Sequence, residues 1–515
     1  MILCLISLFL GLHAERSVVT LTPEQPNIVF IFSDDLSFRD LSVYGQTEYH
    51  TPHLDSLARV STRFTQAYTA APECAPSRGC LLTGLNVGRS PIKLNSSARG
   101  FEWLPDSAYT FAEMLKGAGY ETAVIGKWGL GYHDSPGNPN RQGFDYHFGY
   151  LTHYEAHSYF PTHLYENGKQ IDFVGNQDHN IAILYEKDRK NRSFDFESMY
   201  DEAGKLTILD PATRVYTPDL LDQKIEAFLE EDRKNPFLLY FTTNLPHGPV
   251  IVDDMRQLTA RKDIDIASRE WGAMVERLDI SVGKLIAKLK AEGLYDNTMI
   301  VFASDNGYAM HRPHKEKGKT VWGDDPWLRN KGPFYGGKFT AREAGMRVPM
   351  MIRYPAQSVA KIVEEPVWLV DLFPTFCELS GQAIPDHLDG YSLVPLLTGE
   401  ESGIPKRAFY FFKRNEQAVR KGPWYAFREH PDRPVQLFLL AEDQTCDRDL
   451  AAYYPEVSAE MAQIMDQSHE PHPWYWNPGE SEGDYAAKQA KAAETGQVIK
   501  RYRPNGMDLM PWERK

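Results

Sequence analysis

The sequence is poor in cysteine and in positive charge, and each shortage excludes a class of protein. Five cysteines in 515 residues are too few for a disulfide scaffold. The formal net charge is −14, so the broad basic face that nucleic-acid binding requires is missing, and we expect no nucleic-acid partner. An anionic substrate must therefore be bound by a local cluster of basic side chains.

Long apolar runs are also scarce, and the main one stands at the start of the chain. Residues 1–14, MILCLISLFLGLHA, have the length of a signal peptide and end in a small residue. No later run is long enough to span a bilayer. We therefore expect a secretory signal over residues 1–14, a periplasmic or secreted protein, and no stable membrane insertion.

Four apolar segments rich in β-branched and aromatic residues predict buried strands of a parallel sheet. The polar residues that follow or end these segments are Asp34 and Asp35, Lys127, His247, and Asp305 and Asn306. Helix-period segments between them, such as residues 268–293, indicate an α/β fold: a large, mostly parallel mixed sheet sandwiched by helices. Because ligands bind beyond the carboxyl ends of such strands, we expect one site assembled from these distant segments.

The pattern of the sequence changes after about Gly399. Residues 407–429 and 435–443 predict short alternating strands, and residues 455–471 predict an amphipathic helix. We therefore predict a catalytic domain over residues 25–399 and a smaller α+β subdomain over residues 400–515 with an irregular end. Its aromatic segment HPWYWNPGE (residues 472–480) suits either stacking against sugar rings or packing in the core.

The polar ends of two of these strands carry hard oxygen ligands, namely Asp34, Asp35, Asp305 and Asn306. Such a set favours Ca²⁺ or Mg²⁺ over Zn²⁺, and the sequence has no Cys/His spacing of the zinc type. Each pair alone would be typical of a turn. Their joint occurrence after two buried strands predicts a metal site.

Cys74 lies at the predicted start of a helix that runs to Gly84, with Pro76 in the first turn. A helix N-terminus lowers the pKa of a thiol and suits a nucleophile. A disulfide with Cys80 is excluded, because six residues of helix separate the two by about 9 Å of rise. Since thiolates prefer soft metals, an oxygen-based group fits this position better than the thiol itself.

The segment CAPSRGCLLTG around Cys74 resembles the signature of the type I, formylglycine-dependent sulfatases of the alkaline-phosphatase-like superfamily, which begins C-x-P-S-R. The resemblance continues through PNIVFIFSDD, ETAVIGKWGLG, NLPHGP, ASDNG and GGKFTAREAGMRVP, in family order from about residue 25 to 400. It implies that a maturation enzyme oxidises Cys74 to formylglycine. The hydrate of this aldehyde would attack the sulfate ester and form a covalent sulfate intermediate.

The resemblance also implies a role for each matching residue. The ligands of a Ca²⁺ ion would be Asp34, Asp35, Asp305, Asn306 and the formylglycine at position 74. Arg78 and Lys127 would hold the hydrate, and His247 and Lys338 would bind the sulfate and the bridging oxygen. Asp305 would accept the proton of the attacking hydroxyl, and His247 or Lys338 would protonate the departing alcohol.

Gly129 departs from the family pattern, since many members have a histidine at this position of GKWGLG that helps to break the intermediate. His133, His153 and His157 are near in sequence and could take that role. His157 is also the candidate we expect in the substrate pocket. Arg347, in GMRVP, is expected to pair with a carboxylate rather than to bind sulfate.

Three functions remain open at this point. We expect a sulfatase that acts on a sulfated polysaccharide or oligosaccharide. One alternative is a phosphatase or phosphonate hydrolase of the same superfamily, although these enzymes use Ser or Thr as nucleophile and extra His/Asp ligands for a second metal. The other alternative is a degenerate sulfatase that only binds sulfated glycans, which Gly129 suggests. The intact C-x-P-S-R motif favours the sulfatase.

Overall fold

A computed structural model describes residues 25–95, 103–176, 196–248, 250–309, 314–316, 319–321, 327–355, 360–400 and 403–494. The predicted signal segment and residues 495–515 of the predicted C-terminal subdomain lie outside the described residues. None of the helices in the described ranges is both long enough and apolar enough to cross a lipid bilayer.

The described residues form seventeen strands in three sheets. The strands are β1 (Asn27–Ser33), β2 (Thr62–Tyr68), β3 (Glu121–Lys127), β4 (Tyr146–Tyr150), β5 (His163–Glu166), β6 (Lys169–Asp172), β7 (Phe237–Thr242), β8 (Thr298–Ser304), β9 (His314–Glu316), β10 (Lys319–Val321), β11 (Arg347–Arg353), β12 (Lys361–Val363), β13 (Val367–Trp368), β14 (Ala408–Lys413), β15 (Glu416–Lys421), β16 (Trp424–Arg428) and β17 (Gln436–Leu439). An eleven-stranded sheet has the order β12-β2-β11-β8-β1-β7-β3-β4-β5-β6, and β13 also pairs with β2.

The centre of the large sheet is the parallel block β8-β1-β7-β3-β4, which confirms the four strands predicted from apolar runs. Both faces of β1 are buried: Phe30 and Phe32 pack in one core, and Val29 and Ile31 pack in the other. Burial on both sides explains why these segments are continuously apolar rather than alternating. Antiparallel β11 lies between β2 and β8, so the sheet is mixed.

Ten α-helices lie in the described residues. They are α1 (Pro52–Ala58), α2 (Cys74–Thr83), α3 (Phe111–Gly117), α4 (Thr217–Glu230), α5 (Ile266–Ala291), α6 (Glu343–Met346), α7 (Leu372–Leu379), α8 (Val394–Thr398), α9 (Pro455–Gln467) and α10 (Glu482–Glu494). Helices α2, α3 and α7 bury apolar side chains in the core of Phe30, and α1, α4 and α5 bury theirs in the core of Val29. The predicted α/β sandwich is thus confirmed.

Helix α5 corresponds to the helix predicted over residues 268–293, but it begins at Ile266. Asp265 caps it, because its side chain accepts hydrogen bonds from the backbone N–H groups of Ala267 (3.0 Å) and Ser268 (3.1 Å).

The small C-terminal sheet is antiparallel, with the strand order β14-β15-β16-β17. Met461 and Met465 of α9 pack in the same core as this sheet. Tyr475 and Trp476 are each only 3% exposed and belong to that core, and Trp474 is partly buried against it, so these aromatic side chains serve packing. The prediction of an irregular end was wrong for residues 482–494, which form α10.

Candidate active site

A buried group of carboxylate and amide oxygens lies at the carboxyl ends of β1 and β8. The two strands are parallel and pair Ser33 with Ser304, so the residues that follow them are neighbours. The backbone N–H of Asp35 donates to Asp305 Oδ1 (3.1 Å), and Asn306 Nδ2 donates to Asp35 Oδ1 (2.8 Å). These side chains, together with Asp34, are fully buried. The structure therefore brings the four predicted metal ligands together.

Cys74 is the first residue of α2 and faces this oxygen group. Its Sγ lies 3.4 Å from Asp34 Oδ1 and 3.9 Å from Asn306 Oδ1. Burial, together with the charge of Asp34, raises the pKa of the thiol above its ordinary range. The expectation that the helix N-terminus lowers this pKa was wrong, because burial beside a carboxylate outweighs the helix. An unmodified thiol here is protonated and a weak nucleophile.

Two positively charged side chains, those of Arg78 and Lys127, lie on the inner side of the site. Arg78 donates from Nε (3.1 Å) and Nη2 (2.9 Å) to Asp305 Oδ2, and from Nη1 to the carbonyl of Lys127 (2.9 Å). Lys127 Nζ lies 2.5 Å from Asp34 Oδ2. Both side chains are buried, Arg78 on α2 and Lys127 at the end of β3. Arg78 therefore pairs with Asp305, and Lys127 pairs with Asp34.

Lys338 and His247 stand on the outer side of the site. Lys338 Nζ lies 2.7 Å from Asp35 Oδ1, 3.5 Å from Cys74 Sγ and 3.2 Å from His247 Nε2. Burial alone would lower the pKa of Lys338, but Asp35 raises it above its ordinary range. Burial lowers the pKa of His247 to about 3, so the imidazole is neutral. Its Nδ1 contacts the carbonyl of Gly248, and its Nε2 faces both Lys338 Nζ (3.2 Å) and Asp35 Oδ2 (3.4 Å).

The carboxylates of this site carry different proton affinities. Burial alone would raise the pKa of Asp34, but the positive charges of Lys127, Arg78 and Lys338 hold it well below its ordinary range. Burial and the charge of Asp34 instead raise the pKa of Asp305. Asp34 is thus the permanently charged carboxylate, and Asp305 is the one that takes up a proton more readily.

The donor set fits a hard metal ion. One ligand atom from each of Asp34, Asp35, Cys74 and His247 lies within 4.8 Å of the others. Two of these four atoms are carboxylate oxygens, and the amide oxygen of Asn306 lies 3.9 Å from Cys74 Sγ. Oxygen ligands of this kind are those that Ca²⁺ and Mg²⁺ prefer.

The three histidines that could compensate for Gly129 occupy different places. The ring of His157, half-buried, stacks on His247 with a centroid distance of 4.4 Å and an angle of 17°. His153 is buried, and a Cβ placed on Gly129 would lie 3.6 Å from His153 Cβ and 3.7 Å from Arg78 Cδ. His133 lies against Tyr165 of β5, with ring centroids 6.2 Å apart. Gly129 itself has φ +81°, a left-handed conformation that favours glycine.

The guanidinium of Arg347 contacts Glu343, Thr65 and Tyr68. Its Nη2 lies 2.6 Å from Glu343 Oε1, and its Nη1 donates to the carbonyl of Thr65 (2.6 Å). Tyr68 OH accepts a further hydrogen bond from Nη2 (3.2 Å). The expectation of a carboxylate partner for Arg347 is therefore confirmed.

Two contacts that support the site had no signal in the sequence. Tyr159 OH lies 2.7 Å from the carbonyl oxygens of Asn244 and His247, and so holds the loop that carries His247. Glu73 is buried directly before Cys74 and pairs at 2.7 Å with Lys413 Nζ of β14. In both cases the partners are far apart in the chain, so no local pattern could reveal them.

A family model described as Sulfatase matches residues 26–382, and a second one, described as N-sulphoglucosamine sulphohydrolase, C-terminal, matches residues 333–433. The chain belongs to the sulfatase family. It is therefore a sulfuric ester hydrolase, and the family implies a formylglycine and a metal ion. This membership confirms the resemblance and favours the sulfatase over the phosphatase and the glycan-binding protein.

The sulfatase is similar to several characterised proteins over most of its length. It is 28% identical to an N-acetylgalactosamine-6-O-sulfatase of Bacteroides thetaiotaomicron, over 86% of this chain and 93% of the relative. It is 31% identical to an N-acetylgalactosamine-6-sulfatase of Mus musculus, over 81% of this chain and 75% of the relative. The crystal structure of Ps i-CgsB superimposes with a TM-score of 0.69 and 28% identity, over 92% of this chain and all of that one. That protein has also been crystallised in complex with k-i-k-neocarrahexaose.

Proposed function

We propose that this sulfatase hydrolyses sulfate esters on a polysaccharide or oligosaccharide, using Ca²⁺ and a formylglycine made from Cys74. The observation that carries the proposal is the position of Cys74 Sγ, 3.4 Å from Asp34 and 3.5 Å from the ammonium of Lys338. A group at this point has a cation-binding oxygen set on one side and a positive charge on the other. The carbohydrate part rests on the relatives, whose names specify N-acetylgalactosamine sulfates, and on the neocarrahexaose bound to the similar structure.

The chain holds the metal ion through the oxygens of Asp34, Asp35, Asp305 and Asn306, with position 74 completing the shell. When present, the ion withdraws negative charge from the sulfate, and the formylglycine hydrate supplies the attacking hydroxyl. We propose Ca²⁺ rather than Mg²⁺ because four side chains converge, whereas Mg²⁺ usually keeps several waters and only one or two carboxylates.

The side chains around position 74 have different roles in the reaction. Arg78 and Lys127 are fixed by Asp305 and Asp34, so they orient the group at position 74 without rearranging. Asp305, which pairs with Arg78, takes up the proton of the attacking hydroxyl. Lys338 is protonated before the reaction and binds the sulfate with His247. Because Lys338 is protonated and His247 is neutral, we assign to Lys338 the delivery of a proton to the departing alcohol.

We further propose that His153 compensates for the absence of a histidine at position 129. The space that a side chain on Gly129 would enter is bordered by His153 and Arg78. The second candidate, His157, is half-buried and stacks on His247, and it is proposed to contact the substrate. His153→Ala should therefore slow the release of inorganic sulfate, whereas His157→Ala should raise KM.

The remaining proposals rest on the sequence. We propose that residues 1–14 direct the protein to the periplasm or outside the cell, and that a maturation enzyme acts on the segment around Cys74. We also propose a domain boundary near residue 399, which is supported by the division of strands between the two sheets: β1–β8 and β11–β13 lie in the large one, and β14–β17 lie in the small one.

Sulfate release from a panel of defined sulfated oligosaccharides tests the function. Protein matured to the aldehyde should release sulfate from at least one of them, and Cys74→Ala should release none above background. Phosphate monoesters provide the control for the alternative chemistry. Faster hydrolysis of these than of every sulfate ester would contradict the proposal, as would full activity of Cys74→Ala.

A further inference from the structure

Phe339 combines two features that are rare for an aromatic residue. Its φ is +69°, in the left-handed region where a bulky side chain is unusual. Its side chain is also 52% exposed, although it directly follows the buried Lys338. Strained residues of this kind persist where the surroundings hold them, and they cluster at ligand-binding sites.

The loop around Phe339 is held by hydrogen bonds from two directions. The backbone N–H of Phe339 donates to the carbonyl of Pro72 (2.8 Å), two residues before Cys74. The C-terminal sheet binds the other side, since Glu416 accepts from the Ala341 N–H (2.9 Å) and Tyr425 OH donates to the Ala341 carbonyl (2.7 Å). The ring is therefore presented from a fixed backbone.

The ring of Phe339 lies next to two lysines, one of which belongs to the active site. Its centroid is 5.2 Å from Lys338 Nζ and 5.4 Å from Lys413 Nζ. Both lysine side chains are largely buried, at 8% and 12% exposure, whereas Phe339 is 52% exposed. The exposed Phe339 therefore adjoins Lys338, whose Nζ is 3.5 Å from Cys74 Sγ.

We propose that Phe339 is a stacking platform for the pyranose ring that carries the sulfate ester, an inference that rests on the proposed function. A sulfate at Cys74 and Lys338 places the attached sugar next to Phe339. The C–H groups of a pyranose face are apolar and pack well on an aromatic ring. The aromatic segment at residues 472–480, which suited this role in the sequence, is instead buried at Tyr475 and Trp476.

Binding to Cys74→Ala protein, measured by calorimetry, tests the platform without turnover. The probes are N-acetylgalactosamine 6-sulfate and inorganic sulfate. Phe339→Gly removes the ring and tolerates the positive φ, Phe339→Trp keeps an aromatic face, and Tyr453→Ala removes an aromatic ring, 78% exposed, from just before α9. All variants are made in the Cys74→Ala background.

Phe339→Gly should weaken binding of the sulfated sugar about 10-fold, as expected for the loss of one aromatic stacking contact. Its affinity for inorganic sulfate should stay unchanged, and Phe339→Trp and Tyr453→Ala should bind both probes as the parent does. An equal loss of affinity for both probes would show that the ring excludes solvent from the sulfate site. An unchanged affinity for both would show that the ring does not contribute to binding. Either result overturns the platform. Binding of sulfate but not of the sugar by the parent also overturns it. Binding of neither probe overturns the proposed function instead.

Discussion

The ion pair between Glu73 and Lys413 should be among the strongest single links between the C-terminal sheet and the active-site helix. The two residues are 340 positions apart, and their charged atoms are 2.7 Å apart. Glu73 is 1% exposed, and its second oxygen, Oε2, has no hydrogen-bond partner among the described residues. Lys413→Met would therefore leave a buried carboxylate without its cation.

The expected loss in the free energy of unfolding follows from the burial of the ion pair. Removing one partner of a buried ion pair costs about 3–5 kcal/mol, mainly because the other charge stays buried and unpaired. Lys413 keeps some solvent contact, so we expect about 3 kcal/mol for Lys413→Met. The double variant Glu73→Gln/Lys413→Met removes both charges and should cost only about 1 kcal/mol. The coupling free energy between the two sites is then at least about 2 kcal/mol.

Urea unfolding of the wild type, both single variants and the double variant measures this cycle. Sulfate release by the same proteins shows whether the ion pair also holds Cys74 in its active position, because Glu73 is the residue before Cys74. The double variant should recover most of the stability that Lys413→Met loses. Single and double variants that lose the same amount would refute the reasoning, since they would show that the unpaired charge has no cost.

Three further predictions concern other parts of the molecule. Lys127→Met should lower kcat/KM for sulfate release at least about 100-fold, because one fixed cation beside the reacting group is lost; a loss below 3-fold would contradict its role. Arg347→Met should lower the free energy of unfolding by about 3 kcal/mol through the unpaired Glu343, while KM of the folded enzyme stays constant; a raised KM would instead indicate substrate binding. Burial lowers the pKa of His472 to about 4, and its Nδ1 accepts the backbone N–H groups of Trp474 (3.1 Å) and Tyr475 (3.2 Å). Since the folded pKa lies below the unfolded one, stability should fall as pH drops from about 6.5 toward 4, by at most about 1 kcal/mol per pH unit because the ring is partly solvated. His472→Gln should reduce this slope, and an identical pH profile for both proteins would contradict the assignment.

The central strands and the site at their ends could be predicted from the sequence because both leave local signals. A strand buried on both faces must be apolar throughout, and the run from Asn27 to Ser33 is buried at every position. The polar residues that follow such runs then meet at one edge of the sheet, as Asp34 and Asp305 do. No knowledge of distant partners was needed for either step.

The pKa of Cys74 shows where local reasoning fails. A helix N-terminus favours the thiolate, but this depends on α2 alone. The observed environment adds burial and Asp34, which comes from β1 and lies 40 positions away in the chain. The protonation of Cys74 depends on neighbours that come from distant parts of the chain, and no pattern in the segment around Cys74 reveals them.

The pairing of β11, the Glu73–Lys413 ion pair and helix α10 could not be predicted from local sequence patterns either. Strand β11 is antiparallel and pairs with β2 and β8, from distant parts of the chain. The Glu73–Lys413 pair joins two segments that no motif connects. Helix α10 was missed because its residues have no marked apolar stripe, and the neighbouring aromatic segment suggested irregular structure.

The central claim is that position 74 carries an aldehyde among the converging oxygen ligands and cations. Mass analysis of the tryptic peptide FTQAYTAAPECAPSR, residues 64–78, from protein that is active in sulfate release tests it most directly. The account predicts a peptide in which the thiol-bearing CH₂SH group has become an aldehyde, in proportion to the activity of the preparation. Fully active protein in which this peptide retains an unmodified cysteine would contradict it.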